Sequence, residues 1–164
     1  MALAIIGGEP ARFAPFAKLY RDVYQKAGHP AASLQLGISS HAYIADNSSV
    51  ARDEFSPPYA VVMGRIGKER GWPPLSRQQF DASTEPHGAL LVGSPQQVIH
   101  KILAQYDLFQ HTRFLAQMSL GAMPHQKIMR SIELLGTVVA PAVRKAIGTP
   151  APRVPGPASS ARML

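Results

Sequence analysis

Apolar residues follow two alternating rhythms along this chain: short unbroken runs, and longer stretches in which they recur every three or four positions. The runs cover residues 3–6, 34–45, 89–92 and 114–120, each followed by glycine or polar turn residues. Such runs predict strands, and the last, which is nearly all apolar, predicts a strand covered on both faces. Helical spacing follows each run. Phe13, Phe16, Ala17, Tyr20, Tyr24 and Ala27 mark the inward face of a first helix, with Pro15 in its first turn and Gly28 at its end. A second helix begins after the capping oxygens of Asp46 to Ser49, is interrupted at Pro57-Pro58, and resumes from Tyr59 with Val62, Met63 and Ile66 inward. Ser76 with Gln79 forms a capping box for a brief turn ending near Phe80, and residues 81–88 form an exposed loop. Ser94, Pro95 and Gln97 then supply a cap, a first helical position and a side chain that reaches back to the cap amide, ahead of Ile99, Ile102, Leu103 and Tyr106. In the last helix Pro124 suits the first turn, and Ile128, Ile132, Leu135 and Val139 face inward.

Strand and helix therefore alternate, which predicts an α/β fold of right-handed βαβ units around a parallel sheet. Three or four strands are too few for a closed eight-stranded barrel, whose usual length is about 250 residues. The sheet has open edges, and the strand at 3–6 lies at or near one of them. Residues 1–148 make one domain, and residues 149–164, with four prolines and little apolar content, read as a disordered tail.

Composition narrows the function classes. A chain of 164 residues with 46% hydrophobic content is globular, and with no cysteine it forms no disulfide, thiolate zinc site or cysteine nucleophile, in keeping with a reducing cytoplasm. The start MALAIIGG lacks a basic region before its short apolar run, so it predicts neither a secretory signal nor a membrane anchor. The net charge of +7 comes from 17 scattered Lys and Arg residues, of which only Arg144 and Lys145 are adjacent, and no basic stripe interleaved with aromatics points to a nucleic-acid partner. Six histidines, without an i, i+4 pair, give no metal motif. No serine lies in a nucleophile elbow.

Five blocks carry a resemblance: LAIIGGEPARFAPFAKLYR, SSHAYIADNSSVARDEF, GRIGKERGWPPLSRQQF, GALLVGSPQQVIHKI and RFLAQMSLGAMPHQKIMRSIELLGTVVAPAVR. In this order, over residues 2–148, the chain resembles the C-terminal part of the bacterial luciferase-like, flavin-dependent monooxygenases and oxidoreductases. The resemblance implies a partial (β/α)8 TIM barrel, consisting of its C-terminal strands and helices. It also implies reduced FMN, or a deazaflavin in some branches, bound at the C-terminal ends of the strands, with a small organic substrate. The first half of such a barrel, including a glycine-rich phosphate turn and an N-terminal catalytic histidine of some members, is missing. The chain is therefore expected to be a fragment that needs a complementing N-terminal half or forms a homo-oligomer. The alternative is a non-catalytic remnant or interaction module.

In a barrel of this kind the functional groups project from the C-terminal ends of strands and the loops behind them. Ser39, Ser119 and Gly121 are the candidates for approach to the flavin, although Ser119 and Gly121 also suit a plain strand-to-helix turn. His41 and His125 are the candidate catalytic residues; a lone strand histidine such as His41 more often makes a structural hydrogen bond, and His125 equally suits plain surface. Gly93 and Ser94 can offer helix-terminal amides to a phosphate, and capping alone also explains them.

Overall fold

The computed structural model describes residues 1–148. The chain forms β1 (Ala2–Ile5), a 3-10 turn (Pro10–Phe13), α1 (Ala14–Lys26), β2 (Gly37–Ile44), α2 (Ser48–Arg70), α3 (Arg77–Thr84) and β3 (Leu91–Gly93). It continues through α4 (Pro95–Phe109), β4 (Arg113–Gln117), α5 (His125–Leu134), a π-helical stretch (Leu135–Val139) and α6 (Ala140–Ala146). The tail expected at 149–164 lies outside the described residues.

Every strand pairing is parallel, and β2 is the hub. Ala2–Ile5 runs beside Gly37–Ser40, β4 beside Gly37–His41, and the three-residue β3 beside Ala42–Ile44. Because β1 and β4 pair with the same stretch of β2, they take its opposite edges. The turn leaving β1 (Gly8, Glu9) and the turn entering β3 (His87, Gly88) line one cleft, which places β3 beyond the end of β1. β1 is thus an edge strand, as its position in the sequence suggests, and β4 neighbours β2 directly.

Side-chain alternation along β2 sorts the helices into two layers. Ala42 and Ile44, with Leu91, pack on Val98, Ile99 and Ile102 of α4 and on Leu134 and Val139. Ile5 and Ile38 pack on Ala17 of α1 and Phe109 of α4. Tyr43 points the other way. With its register partner Val92 it joins Ala51, Phe55 and Tyr59 of α2, Phe80 of α3, and Leu120 and Met123 beyond β4. In a barrel the connecting helices form an outer ring; α1, α4 and α5 take that outer face, whereas α2 and α3, although they too connect two strands, cover the opposite, lumenal face. α2 and α3 cover only the C-terminal half of that face; toward the other end Ala2, Ala4, Leu115 and Gln117 are exposed.

Several local expectations are corrected. β4 is not covered on both faces, because Leu115 lies on the open part of the lumenal face while only Phe114 and Ala116 turn into packing. Pro57 and Pro58 do not interrupt α2. Ala51, Phe55 and Tyr59 recur at i, i+4 and are buried, so packing holds the helix together, and Pro57 sits on the exposed side where the carbonyl it leaves unpaired meets water. Residues 81–84 extend α3, whose Ser76–Gln79 capping box forms as the sequence indicates and whose Phe80 is buried. Ser94 does cap α4, but its own amide donates to Ser48 Oγ at 3.2 Å instead of to the Gln97 side chain. Pro124 is the N-cap of α5, one position earlier than expected.

The inward face of α5 is also rotated. Ser131 and Leu134 are buried, whereas Ile132 is 43% exposed. The π-helical stretch then adds one residue to the turn, so that Val139 returns to the core and Val138 faces out. Pro141, which has no N–H to offer the carbonyl four residues back, favours this wider turn.

Candidate functional site

The C-terminal ends of the strands meet the N-termini of α2 and α5. α2 starts there because Asn47 caps it, its Oδ1 accepting the Val50 amide at 2.9 Å. α5 is fastened to the end of β2 by Ser131, whose Oγ accepts the Ile44 N–H at 2.7 Å in a fully buried position. β4 has already ended at Gln117, so no strand is available to take that amide. Between the two helices lies a cleft of about 300 Å³ walled by Tyr43, Asp46, Asn47, Glu54, Lys127 and Arg130.

Glu54 organises the cleft. It accepts the Tyr43 hydroxyl at 2.5 Å and pairs with Lys127 at 2.8 Å. Burial pushes its carboxyl upward, but the Lys127 ammonium and the Tyr43 hydroxyl together outweigh burial and hold it below its ordinary value. Burial and then the Glu54 charge push the Tyr43 phenol far above its usual range, so it stays a protonated donor. At the rim Arg130 bridges Asp46 at 2.9 Å and Glu133 at 3.0 Å. The arrangement holds a fixed carboxylate and two cations beside solvent and contains no activated nucleophile. The sequence does not reveal this group, because Tyr43, Glu54 and Lys127 belong to three different elements and only the fold joins them. Tyr43, a lone phenol in an apolar run followed by a helix with an acidic residue, was the available signal.

Ser39 and His41 lie on the lumenal face, in register with Leu115 and Gln117 of β4. Ser39 is half-buried. His41 is buried, its ring edge-on to Tyr59 at 5.7 Å, with Nδ1 enclosed and without a protein partner. Burial lowers its pKa from 6.5, so the ring is neutral at pH 7. Ser119 is exposed beyond β4. Gly121 adopts φ +59°, and a Cβ there would come within 3.2 Å of Val62 in α2; α2 is thereby seated directly over the loop. His125 is exposed at the first position of α5. Gly93 is buried beneath the Gln97 side chain, and the amides of Ser94 and Gln97 are taken up by the hydroxyls of Ser48 and Ser94. α2 thus touches both His41 and Gly121, while Ser119 and His125 remain at the surface, Gly93 ends β3 and Ser94 caps α4. Among the described residues, no group of three His, Asp or Glu side chains could hold a metal ion, and no helix is long and apolar enough to cross a membrane.

The model of the luciferase-like monooxygenase family matches residues 1–112. Among curated proteins there is no match. Among solved structures the fold is similar to monooxygenase RslO1 from Streptomyces bottropensis, with 23% identity and a TM-score of 0.65 over 85% of this chain and 40% of that one. It is also similar to the oxygenating constituent of 3,6-diketocamphane monooxygenase from Pseudomonas putida in complex with FMN, with 19% identity and a TM-score of 0.64 over 84% of this chain and 42% of that one. The coenzyme F420-dependent tetrahydromethanopterin reductase from Methanopyrus kandleri gives 13% identity and a TM-score of 0.53 over 85% of this chain and 44% of that one. At such identities these structures show the fold alone, and the chain spans about two fifths of their lengths.

Proposed function

Because the chain belongs to the luciferase-like monooxygenase family, we propose that it is the C-terminal portion of a flavin-dependent oxidoreductase, using FMN and acting on a small organic substrate. A deazaflavin is the second choice of cofactor, since the structural neighbours include both an FMN complex and a coenzyme F420-dependent reductase. The observation that carries the proposal is the half-open lumenal face. Its N-terminal half is uncovered, among the described residues β1 and β4 each leave an edge without a strand, and a closed barrel carries further strands there.

By itself the described fold does not fit a flavin. The C-terminal half of the lumenal face, where the cofactor of such a barrel is expected, is filled by Tyr43, Phe55, Tyr59 and Phe80 packed on one another. No catalytic step is therefore derived for the isolated chain. Within a completed barrel, in which α2 and α3 join the outer ring and leave this face, the proposal assigns Ser39 and the neutral His41 to the flavin or substrate side and Ser119, Gly121 and His125 to the rim. A non-catalytic module that pairs its open edges with a partner is the second possibility, favoured by the same unpaired edges.

Titration of FMN, followed by quenching of flavin fluorescence, separates these possibilities. The proposal expects no saturable binding to the monomer and saturable binding once a polypeptide supplying the first half of the barrel is co-expressed. Tight FMN binding by the monomer refutes the half-site, and a complemented assembly that takes neither FMN nor a deazaflavin leaves the non-catalytic module.

A further inference from the structure

On the outer face, on the opposite side of the sheet from His41, α4, β4 and α6 leave a cleft of about 620 Å³. That is the size range of small-molecule sites. Its lining divides into two chemistries. Tyr106, His111 and Phe114 form a run of rings, with centroids 5.6 Å apart for Tyr106–His111 and 6.0 Å for His111–Phe114, and Val143 adds an aliphatic wall. Arg113 and Arg144 also line it. Among the described residues Arg77 and Arg130 each hold two carboxylates, and the other arginines hold none within 4.0 Å. Among the described residues, neither Arg113 nor Arg144 has a carboxylate within 4.0 Å.

His111 supplies an independent observation. It is 7% exposed, and its Nδ1 is enclosed without a partner in the protein. Buried polar atoms of this kind normally find one. Burial also lowers its pKa, so the ring is neutral and Nδ1 can accept a hydrogen bond.

We propose that this cleft is a binding site for a hydroxylated aromatic carboxylate, its ring seated among Tyr106, His111 and Phe114, its hydroxyl donating to His111 Nδ1 and its carboxylate paired with Arg113 and Arg144. Aromatic rings favour an aromatic guest over an aliphatic one through offset or edge-on contacts. Arginine favours a carboxylate through its planar fork. The site is separate from the lumenal face, so its occupancy does not depend on the flavin proposal, and failure of either leaves the other standing.

Calorimetric titration of the full chain with 1-naphthoate, and with the uncharged 1-naphthalenemethanol, tests the proposal. Saturable naphthoate binding is expected, with the alcohol at least about tenfold weaker. Arg144→Gln and Arg113→Gln each raise the naphthoate Kd about tenfold while leaving the circular dichroism spectrum unchanged, and the two substitutions barely affect the alcohol. Ala140→Phe, which narrows the cleft, weakens both compounds. Equal affinity for naphthoate and the alcohol overturns the proposal, because it reports apolar adsorption. So does naphthoate binding that survives Arg144→Gln and Ala140→Phe together, or the absence of saturable binding by the full chain.

Discussion

Phe55 is the side chain on which the lumenal layer rests, and Phe55→Ala is the sharpest test of that layer. The ring is fully buried, stacked on Tyr43 at 5.6 Å and 11° and on Tyr59 at 5.6 Å and 28°. Truncating a buried phenylalanine costs about 3–5 kcal/mol through lost transfer energy and the cavity left behind. The broken aromatic contacts, about 0.5–1.5 kcal/mol per pair, place the value in the upper part of that range. A domain of this size has about 5–15 kcal/mol to lose, so the variant remains folded with a thermal midpoint lowered by roughly 10 °C. Urea unfolding followed by far-ultraviolet circular dichroism measures the loss, and Phe16→Ala is the control, since Phe16 is 56% exposed on α1 and should cost under about 0.5 kcal/mol. If the two variants unfold at the same urea concentration, Phe55 is not holding α2 to the sheet, and the assignment of α2 to the lumenal face is wrong.

Ser131→Ala leaves the buried Ile44 amide without its acceptor, with an expected cost of about 1–3 kcal/mol and accelerated hydrogen exchange at that one amide; unchanged exchange at Ile44 would show that another group takes the bond. Gly121→Val strains a left-handed backbone and drives a side chain against Val62, so it should destabilise by more than about 1 kcal/mol in urea, and a neutral result would mean that the loop repositions freely. The Lys101 ammonium donates to the Thr84 carbonyl in a buried setting, which lowers its pKa to about 8 from 10.5. Between those values the unfolded chain binds more protons than the folded one, so stability rises with pH there, by up to about 1.4 kcal/mol per unit, and Lys101→Met should abolish that slope in urea midpoints taken from pH 8 to 9.5.

The order of strands and helices could be read from hydrophobic rhythm alone, because each run and each helical face is encoded within a few neighbouring residues. Gly28, Pro15 and the Ser76–Gln79 box marked helix ends for the same reason: their effects are local. What was lost depends on packing between distant segments. Pro57-Pro58 looked like a break because proline is costly in an isolated helix, but the burial of Phe55 and Tyr59 against Tyr43 is worth more than the two missing hydrogen bonds. Ile132 was assigned inward on hydrophobicity, yet the position belongs to Ser131, since the end of β2 needs an acceptor more than it needs another methyl group. The candidate site was legible only as far as strand ends predict it. Ser39 and His41 fell on one face because alternation is a local rule. The Tyr43–Glu54–Lys127 group was hidden because nothing in the spacing of those residues anticipates that α2 and α5 converge there.

The widened turn at Leu135–Val139 has a further consequence for how this chain tolerates changes in length. Leu134 and Val139 both reach the core although five positions separate them. Deleting Gly136, whose side-chain position has nothing within 4 Å, would leave them four apart, the spacing of an ordinary α-helix. Every inward residue from Val139 onward would keep its phase. The stretch is in effect a one-residue insertion absorbed without refolding, and it marks a point where the helix can lose a residue without displacing the core.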